Sequence, residues 1–193
     1  MTPQGTGAAG VQIVGLDANR KTQTEFVALD GTATVTTTST WLGINRAAAV
    51  YAGSAQSNVG NITITHTTGG QVLGYIPAGD SVTQQMIYHT QNQARGLVDW
   101  LYLNFDKASG GGNPTVNVRI RIFNPLTNIY FLVYESVFDT SVTQIVQLNP
   151  QQPFQTSPGD VLLLEASTSA NNTVLYGRFS LIEVQDADYN PSI

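Results

Sequence analysis

The strongest constraint on the fold of this chain is the strict alternation of apolar and polar residues in short segments between turn residues. In TVNVRIRIFN the apolar residues occupy every second position: Val116, Val118, Ile120 and Ile122. This period of two predicts a β-strand with one buried face. The turn NPLTN and the apolar segment IYFLVYESVF follow at once, so the pair is predicted to form an antiparallel hairpin.

Similar segments recur along the whole chain. They are VQIVGL, TEFVALD, TATVTTTST after a turn at Asp30-Gly31, NITITHT, LVDWLYLNF, VTQIVQL, VLLLEAS and TVLYGRFSLIEV. No helical period of 3.6 residues continues for more than one turn. Many short strands with regular turn signals predict an all-β antiparallel β-sandwich, and the long hairpins favour a jelly-roll-like order of strands.

The segment LVDWLYLNF is apolar on both sides of a predicted strand. Leu97, Leu101 and Leu103 would lie on one face, and Val98 and Trp100 on the other. Such a pattern is typical of a central strand covered on both faces. We therefore expect this strand to lie deep in the fold or at a subunit contact, with Trp100 in the core.

The chain length fits one sandwich domain. With 193 residues, it is long enough to bury about 70% of its unfolded surface. Residues 1–10 contain little to bury and predict a flexible N-terminal arm. Residues 11–184 would form the sandwich, or a smaller sheet over 11–76 followed by a jelly roll over 77–184. Residues 185–193 are expected to be a C-terminal tail.

Composition excludes several function classes. Charged residues make up 11% of the chain and the net charge is −5. Because the two lysines and six arginines form no basic stripe, no nucleic-acid partner is expected. Cysteine is absent, and no signal peptide or apolar run of membrane-spanning length is present. We expect folding in a reducing cytoplasm and no membrane partner.

Residues for catalysis or metal binding are sparse. His66 and His89 are the only histidines, lie on different predicted strands and have no acidic residue at ligand spacing. No serine stands in a GxSxG motif, and the glycine-rich loop SGGGNP lacks the lysine of a phosphate-binding loop. The sequence therefore predicts no enzyme, no metal site and no cofactor.

Four residues are candidates for an interaction surface. Arg119 and Arg121 would lie on the polar face of the predicted hairpin, where salt bridges to Glu135 or Glu165 are the simpler expectation. Trp41 and Tyr51 are the aromatic residues that the sequence places at a surface.

The succession GVQIVGLD, TEFVALDGTATVTT, WLGINRA and SNVGNITI, followed by a jelly-roll-like second half, resembles tailed-bacteriophage virion structural proteins, notably capsid decoration or cement proteins. The resemblance spans roughly residues 10 to 184. It implies a non-enzymatic protein on the outer capsid surface of the virion. The implied partners are other copies of the chain, in a homotrimer, and the major capsid protein.

A second hypothesis is a receptor- or carbohydrate-binding module of a phage fibre or head. It would use the same fold with a neutral polar face. A sugar binder needs an exposed aromatic platform, whereas a cement protein needs a broad contact surface. The placement of the aromatic side chains therefore separates the two hypotheses.

Overall fold

The structure, a computed structural model, describes residues 8–52, 54–83, 86–107, 114–140, 145–148, 154–169 and 173–185. All of the regular secondary structure in these ranges is β-strand, and every pairing between strands is antiparallel. The predicted all-β antiparallel class is therefore confirmed. A jelly-roll order of strands stays a prediction.

The chain divides into two compact units, Met1–Gln85 and Met86–Ile193. The strands of the first unit are β1 (Ala8–Leu16), β2 (Thr22–Ala28), β3 (Gly43–Ala52), β4 (Ile62–Thr65) and β5 (Val72–Ile76). The strands of the second unit are β6 (Ile87–His89), β7 (Ala94–Lys107), β8 (Thr115–Asn124), β9 (Ile129–Asp139), β10 (Ile145–Leu148), β11 (Phe154–Thr156), β12 (Val161–Thr168) and β13 (Thr173–Gln185).

The predicted boundaries at residues 10/11 and 184/185 fall inside strands of the structure. Residues 8–10 of the segment expected to be an arm form the start of β1, and Gln185 of the expected tail ends β13. Residues 1–7 and 186–193 lie outside the described residues. The flexible arm and the C-terminal tail stay predictions.

The first unit contains a three-stranded sheet, in the order β2-β1-β3, and a two-stranded sheet of β4 and β5. Its core is formed by Val11, Ile13, Ile44, Ala47 and Ile76. Ile62 and Ile64 of β4 pack against this core while Thr63 and Thr65 are exposed, as the alternation in NITITHT predicts.

The segment TATVTTTST does not form the predicted strand. Apart from one isolated bridge between Asp30 and Ala33, residues 32–40 are a loop. The Glu25 carboxylate accepts hydrogen bonds from the Thr38 and Ser39 backbone N–H groups at 2.7 and 2.9 Å. Burial raises the pKa of Glu25, but these bonds outweigh it and hold the pKa below its ordinary value. The segment lacks an apolar face, and Val35 remains exposed.

The second unit contains two four-stranded sheets. In one, β13 pairs along the full length of β7, while β10 and β11 pair with successive parts of β7 on its other edge. In the other, the order is β6-β12-β8-β9, and β9 is an edge strand that pairs only with β8 in the described part of the chain.

The two sheets of the second unit pack face to face. Their shared core contains Val98, Leu101, Leu103 and Phe105 of β7, Val116, Val118, Ile120 and Ile122 of β8, Val146 of β10 and Leu162 of β12. The predicted inward row of β8 is therefore confirmed. The second unit is a β-sandwich.

A β-bulge changes the predicted faces of β7. Leu181 of β13 lies opposite Val98 and Ser180 lies opposite Trp100, which leaves Asp99 without an opposing residue. Because the extra residue reverses the alternation, Val98 joins Leu101 in the core, where the sequence predicts Leu97. Trp100 is only half-buried, so the second face of β7 is not covered within the described residues of the subunit, and the alternative of a subunit contact stays a prediction.

Replacing Asn58 with alanine should destabilise the first unit by about 1–3 kcal/mol. Asn58 is 2% exposed. Its side-chain amide donates hydrogen bonds to the carbonyls of Gly60 and Pro77 and accepts one from the backbone N–H of Ser81. Denaturant unfolding would measure the loss, and hydrogen exchange at the Ser81 amide should accelerate. Asn61→Ala, which removes one exposed bond to Ala78, is the matched control with a smaller effect. Equal effects of the two variants would contradict the prediction.

Candidate interaction surfaces

Arg119 and Arg121 lie on the outward face of β8 and form the expected salt bridges. Arg119 Nε lies 2.7 Å from Glu135 Oε1 on β9, and Arg121 is bonded to Glu165 on β12. Hydrogen bonds from Asn117 and Arg119 lower the pKa of Glu135. The bond to Glu165 raises the pKa of Arg121. Both arginines therefore join neighbouring strands of their own sheet, and an interface role for them stays a prediction.

The guanidinium group of Arg121 also contacts an aromatic pair. Its central carbon lies 4.8 Å from the centre of the Tyr130 ring, which stacks on Phe123 with ring centres 4.6 Å apart. This arrangement is a cation–π contact, worth about 0.5–1 kcal/mol at an exposed site. It orients the tyrosine on the outward face of the sheet.

Trp41 and Tyr51 do not provide an exposed aromatic platform in the described residues. Trp41 is half-buried and packs against the core of the first unit. Its indole N–H is buried and has no hydrogen-bond partner there. The backbone of Tyr51 belongs to β3, and its side chain lies outside the described part of the chain. Trp41 is therefore partly covered by the core of the first unit, and a role for it at an interaction surface stays a prediction.

An aromatic surface that the sequence analysis missed lies on the outer face of the β10-β7-β13 sheet. Trp100 and Tyr102 are half-buried neighbours on β7, with ring centres 6.4 Å apart and ring planes inclined by 34°. Tyr176 of β13 is 52% exposed and lies opposite Asn104. The signal in the sequence is Asp99, a charged residue inside an apolar run, which marks the bulge and the outward row that follows it.

Polar side chains surround these rings because directly opposed residues share one face of an antiparallel sheet. Tyr102 lies between Arg178 of β13 and Gln147 of β10. We call this surface the aromatic face. It comprises Trp100, Tyr102, Asn104, Ile145, Gln147, Tyr176, Arg178 and Ser180.

A second surface lies at the edge strand β9. Ile129, Tyr130, Phe131 and Leu132 are four consecutive residues that are between 48% and 56% exposed. The adjoining turn adds Leu126, which is 76% exposed. No charged residue occurs between Leu126 and Tyr134. We call this stretch, residues 126–132, the β9 edge.

The histidines belong to separate local environments. His66 is exposed in a turn, where its Nδ1 accepts a hydrogen bond from the Thr68 N–H at 3.1 Å. His89 lies in β6, is partly buried and pairs through its backbone with Val161. In the ranges that the structure describes, no three or more His, Cys, Asp or Glu side chains form a group that could hold a metal ion.

No protein-family model matches this chain, and neither a curated protein nor a solved structure matches it. Within the described residues, no helix is long and apolar enough to cross a membrane. The geometry of the aromatic face and the β9 edge therefore carries the functional argument.

The stability of the protein should fall as the pH drops below about 6.5, the ordinary pKa of histidine. Burial lowers the pKa of His89 in the folded chain, so below this pH the unfolded chain binds a proton that the folded chain does not. His89→Gln should flatten the decline that begins below about pH 6.5, measured by thermal unfolding. His66→Gln, a substitution at an exposed position, is the control and should leave the decline in stability unchanged. An unchanged decline in His89→Gln would show that other groups cause it.

Proposed function

We propose that the protein is a virion structural protein, a capsid decoration or cement protein that lies on the outer surface of a phage head and stabilises the capsid lattice. In this proposal it acts as a homotrimer and binds the major capsid protein. The resemblance in strands and turns suggests the role. The exposed apolar stretch of the β9 edge is the observation that supports it.

The β9 edge has the properties of a protein contact. The outer edge of β9 offers backbone N–H and C=O groups that another chain can pair with. Soluble proteins usually protect such edges with charged residues, proline or a very short strand. Here the strand has eleven residues, and the exposed stretch Ile129–Leu132 carries no charge. This surface is therefore suited to burial against a protein partner.

A closed ring of three copies would cover this surface. In a cyclic trimer each subunit contacts a different patch on the next one, and the ring closes without a free edge. A stable contact buries on the order of 1,600 Å² in total. Such a contact spreads its free energy over many modest interactions, which suits a protein that holds a lattice together.

Leu132→Asp should convert the trimer into monomers. The substitution places a charge in an apolar contact, where an unpaired buried charge is strongly unfavourable. Leu132 is 56% exposed, so the fold of the subunit should survive. Size-exclusion chromatography with light scattering would measure the mass. Val72→Asp, at a position in β5 that is 58% exposed, is the matched control and should remain trimeric. A monomeric wild-type protein would argue against the proposed trimer.

Phage particles that lack the protein should assemble but release DNA at a lower temperature than complete particles. Adding back the wild-type protein should restore the release temperature because its contacts join neighbouring capsid subunits. Leu132→Asp should restore it poorly, and Val72→Asp should restore it fully. DNA release on heating can be followed with an intercalating dye. Equal release temperatures with and without the protein would refute a cement role.

The receptor- or carbohydrate-binding hypothesis also has an observation in its favour. It requires an exposed aromatic platform, and the aromatic face has rings from Trp100, Tyr102 and Tyr176. This face and the β9 edge belong to different sheets of the sandwich. One subunit could therefore use the β9 edge for assembly and leave the aromatic face open.

A further inference from the structure

The aromatic face combines fixed rings with hydrogen-bonding side chains on a regular sheet. Trp100 and Tyr102 stand two residues apart on β7, so both point to the same side of the strand. Their rings are half-buried, and their centres are 6.4 Å apart. Half-buried rings that pack beside each other lose little conformational freedom when a ligand binds. The two rings are therefore a preorganised stacking surface.

Hydrogen-bonding groups lie on both sides of this pair of rings. Across β7, Gln147 on β10 and Arg178 on β13 are both exposed and flank Tyr102. Ser180 lies opposite Trp100, and Asn104 continues the row beyond Tyr102. An amide both donates and accepts hydrogen bonds, as does a hydroxyl. The face therefore alternates apolar rings with groups that can satisfy hydroxyls.

This arrangement matches the two chemical sides of a sugar. A pyranose ring presents C–H groups on its flat faces, which pack against aromatic rings, and hydroxyls around its edge, which require hydrogen-bond partners. Tyr176, opposite Asn104 on β13, adds a third ring along the sheet. Three rings on two neighbouring strands provide contacts for more than one sugar unit.

We propose that the aromatic face binds a neutral oligosaccharide, with Trp100, Tyr102 and Tyr176 stacking on sugar rings and Asn104, Gln147 and Arg178 bonding to hydroxyls. Arg178 is the one charged residue among the eight described residues that define this surface, and the chain has a net charge of −5. A strongly anionic polymer is therefore a poor partner. The proposal does not depend on a role as a cement protein.

The test uses the full-length protein and a microarray of neutral oligosaccharides of glucose, galactose, mannose, xylose and N-acetylglucosamine. Calorimetry with the best binder then gives Kd. Trp100→Ala and Tyr176→Ala should each weaken binding about tenfold or more, the effect that removal of one stacked ring has on nucleic-acid bases. Tyr75→Ala is the matched control because Tyr75, an exposed tyrosine of the first unit, belongs to neither the aromatic face nor the β9 edge. It should leave Kd unchanged.

Tryptophan fluorescence tests directly whether the sugar contacts Trp100. The chain has two tryptophans, so Trp41→Phe leaves Trp100 as the only one. The bound sugar should shift the emission of Trp100.

The affinity measurement does not rest on Trp100→Ala alone. Tyr176→Ala changes an exposed residue, so it tests the aromatic face even if Trp100→Ala does not fold.

The proposal is wrong if the wild-type protein binds none of these sugars, or if Trp100→Ala and Tyr176→Ala bind as tightly as the wild type. It is also wrong if Tyr176→Ala abolishes self-association while Leu132→Asp does not. In that case the aromatic face is a contact between copies of the chain. Sugar binding without any rise in the DNA-release temperature would support the aromatic face and refute only the cement role.

Discussion

The packing of β7 against β8 is the interaction on which the second unit depends. Leu103 and Val118, one from each strand, are both completely buried, and every other core residue of the sandwich belongs to the same cluster. Because successive side chains of a strand alternate, a fixed inward row also fixes the outward row. The salt bridges of β8 and the aromatic row of β7 are thus positioned by the core beneath them.

The sequence predicts β8 better than β7 for a physical reason. In TVNVRIRIFN each outward residue is polar, so only one register buries the apolar row, and the pairs Arg119–Glu135 and Arg121–Glu165 follow from the neighbouring strands. In LVDWLYLNF both faces are apolar, so the period cannot show which face is inside. The bulge at Asp99 then moves Val98 into the core, and no period of two can predict that shift.

Other differences arise from tertiary structure. Threonine and valine favour strands, yet TATVTTTST has no apolar row to bury, and the Glu25 carboxylate binds its backbone as a loop instead. Trp41 packs against the core of the first unit and is half-buried, a contact that its neighbours in the sequence do not reveal. The β9 edge could not be predicted either, because an edge strand is defined by which strands do not pair with it.

The two surfaces of the sandwich differ in the kind of partner they suit. In the part of the chain that the structure describes, the outer edge of β9 pairs with no other strand and carries aliphatic and aromatic side chains, a combination that suits another polypeptide. On the aromatic face, Tyr102 lies in the central strand β7, whose backbone pairs there with β10 on one side and with β13 on the other, so a ligand above its ring meets side chains. Rings and amide side chains suit a ligand that carries hydroxyls. These differences are the physical basis for the two proposals, a protein partner at β9 and a sugar at Trp100 and Tyr102.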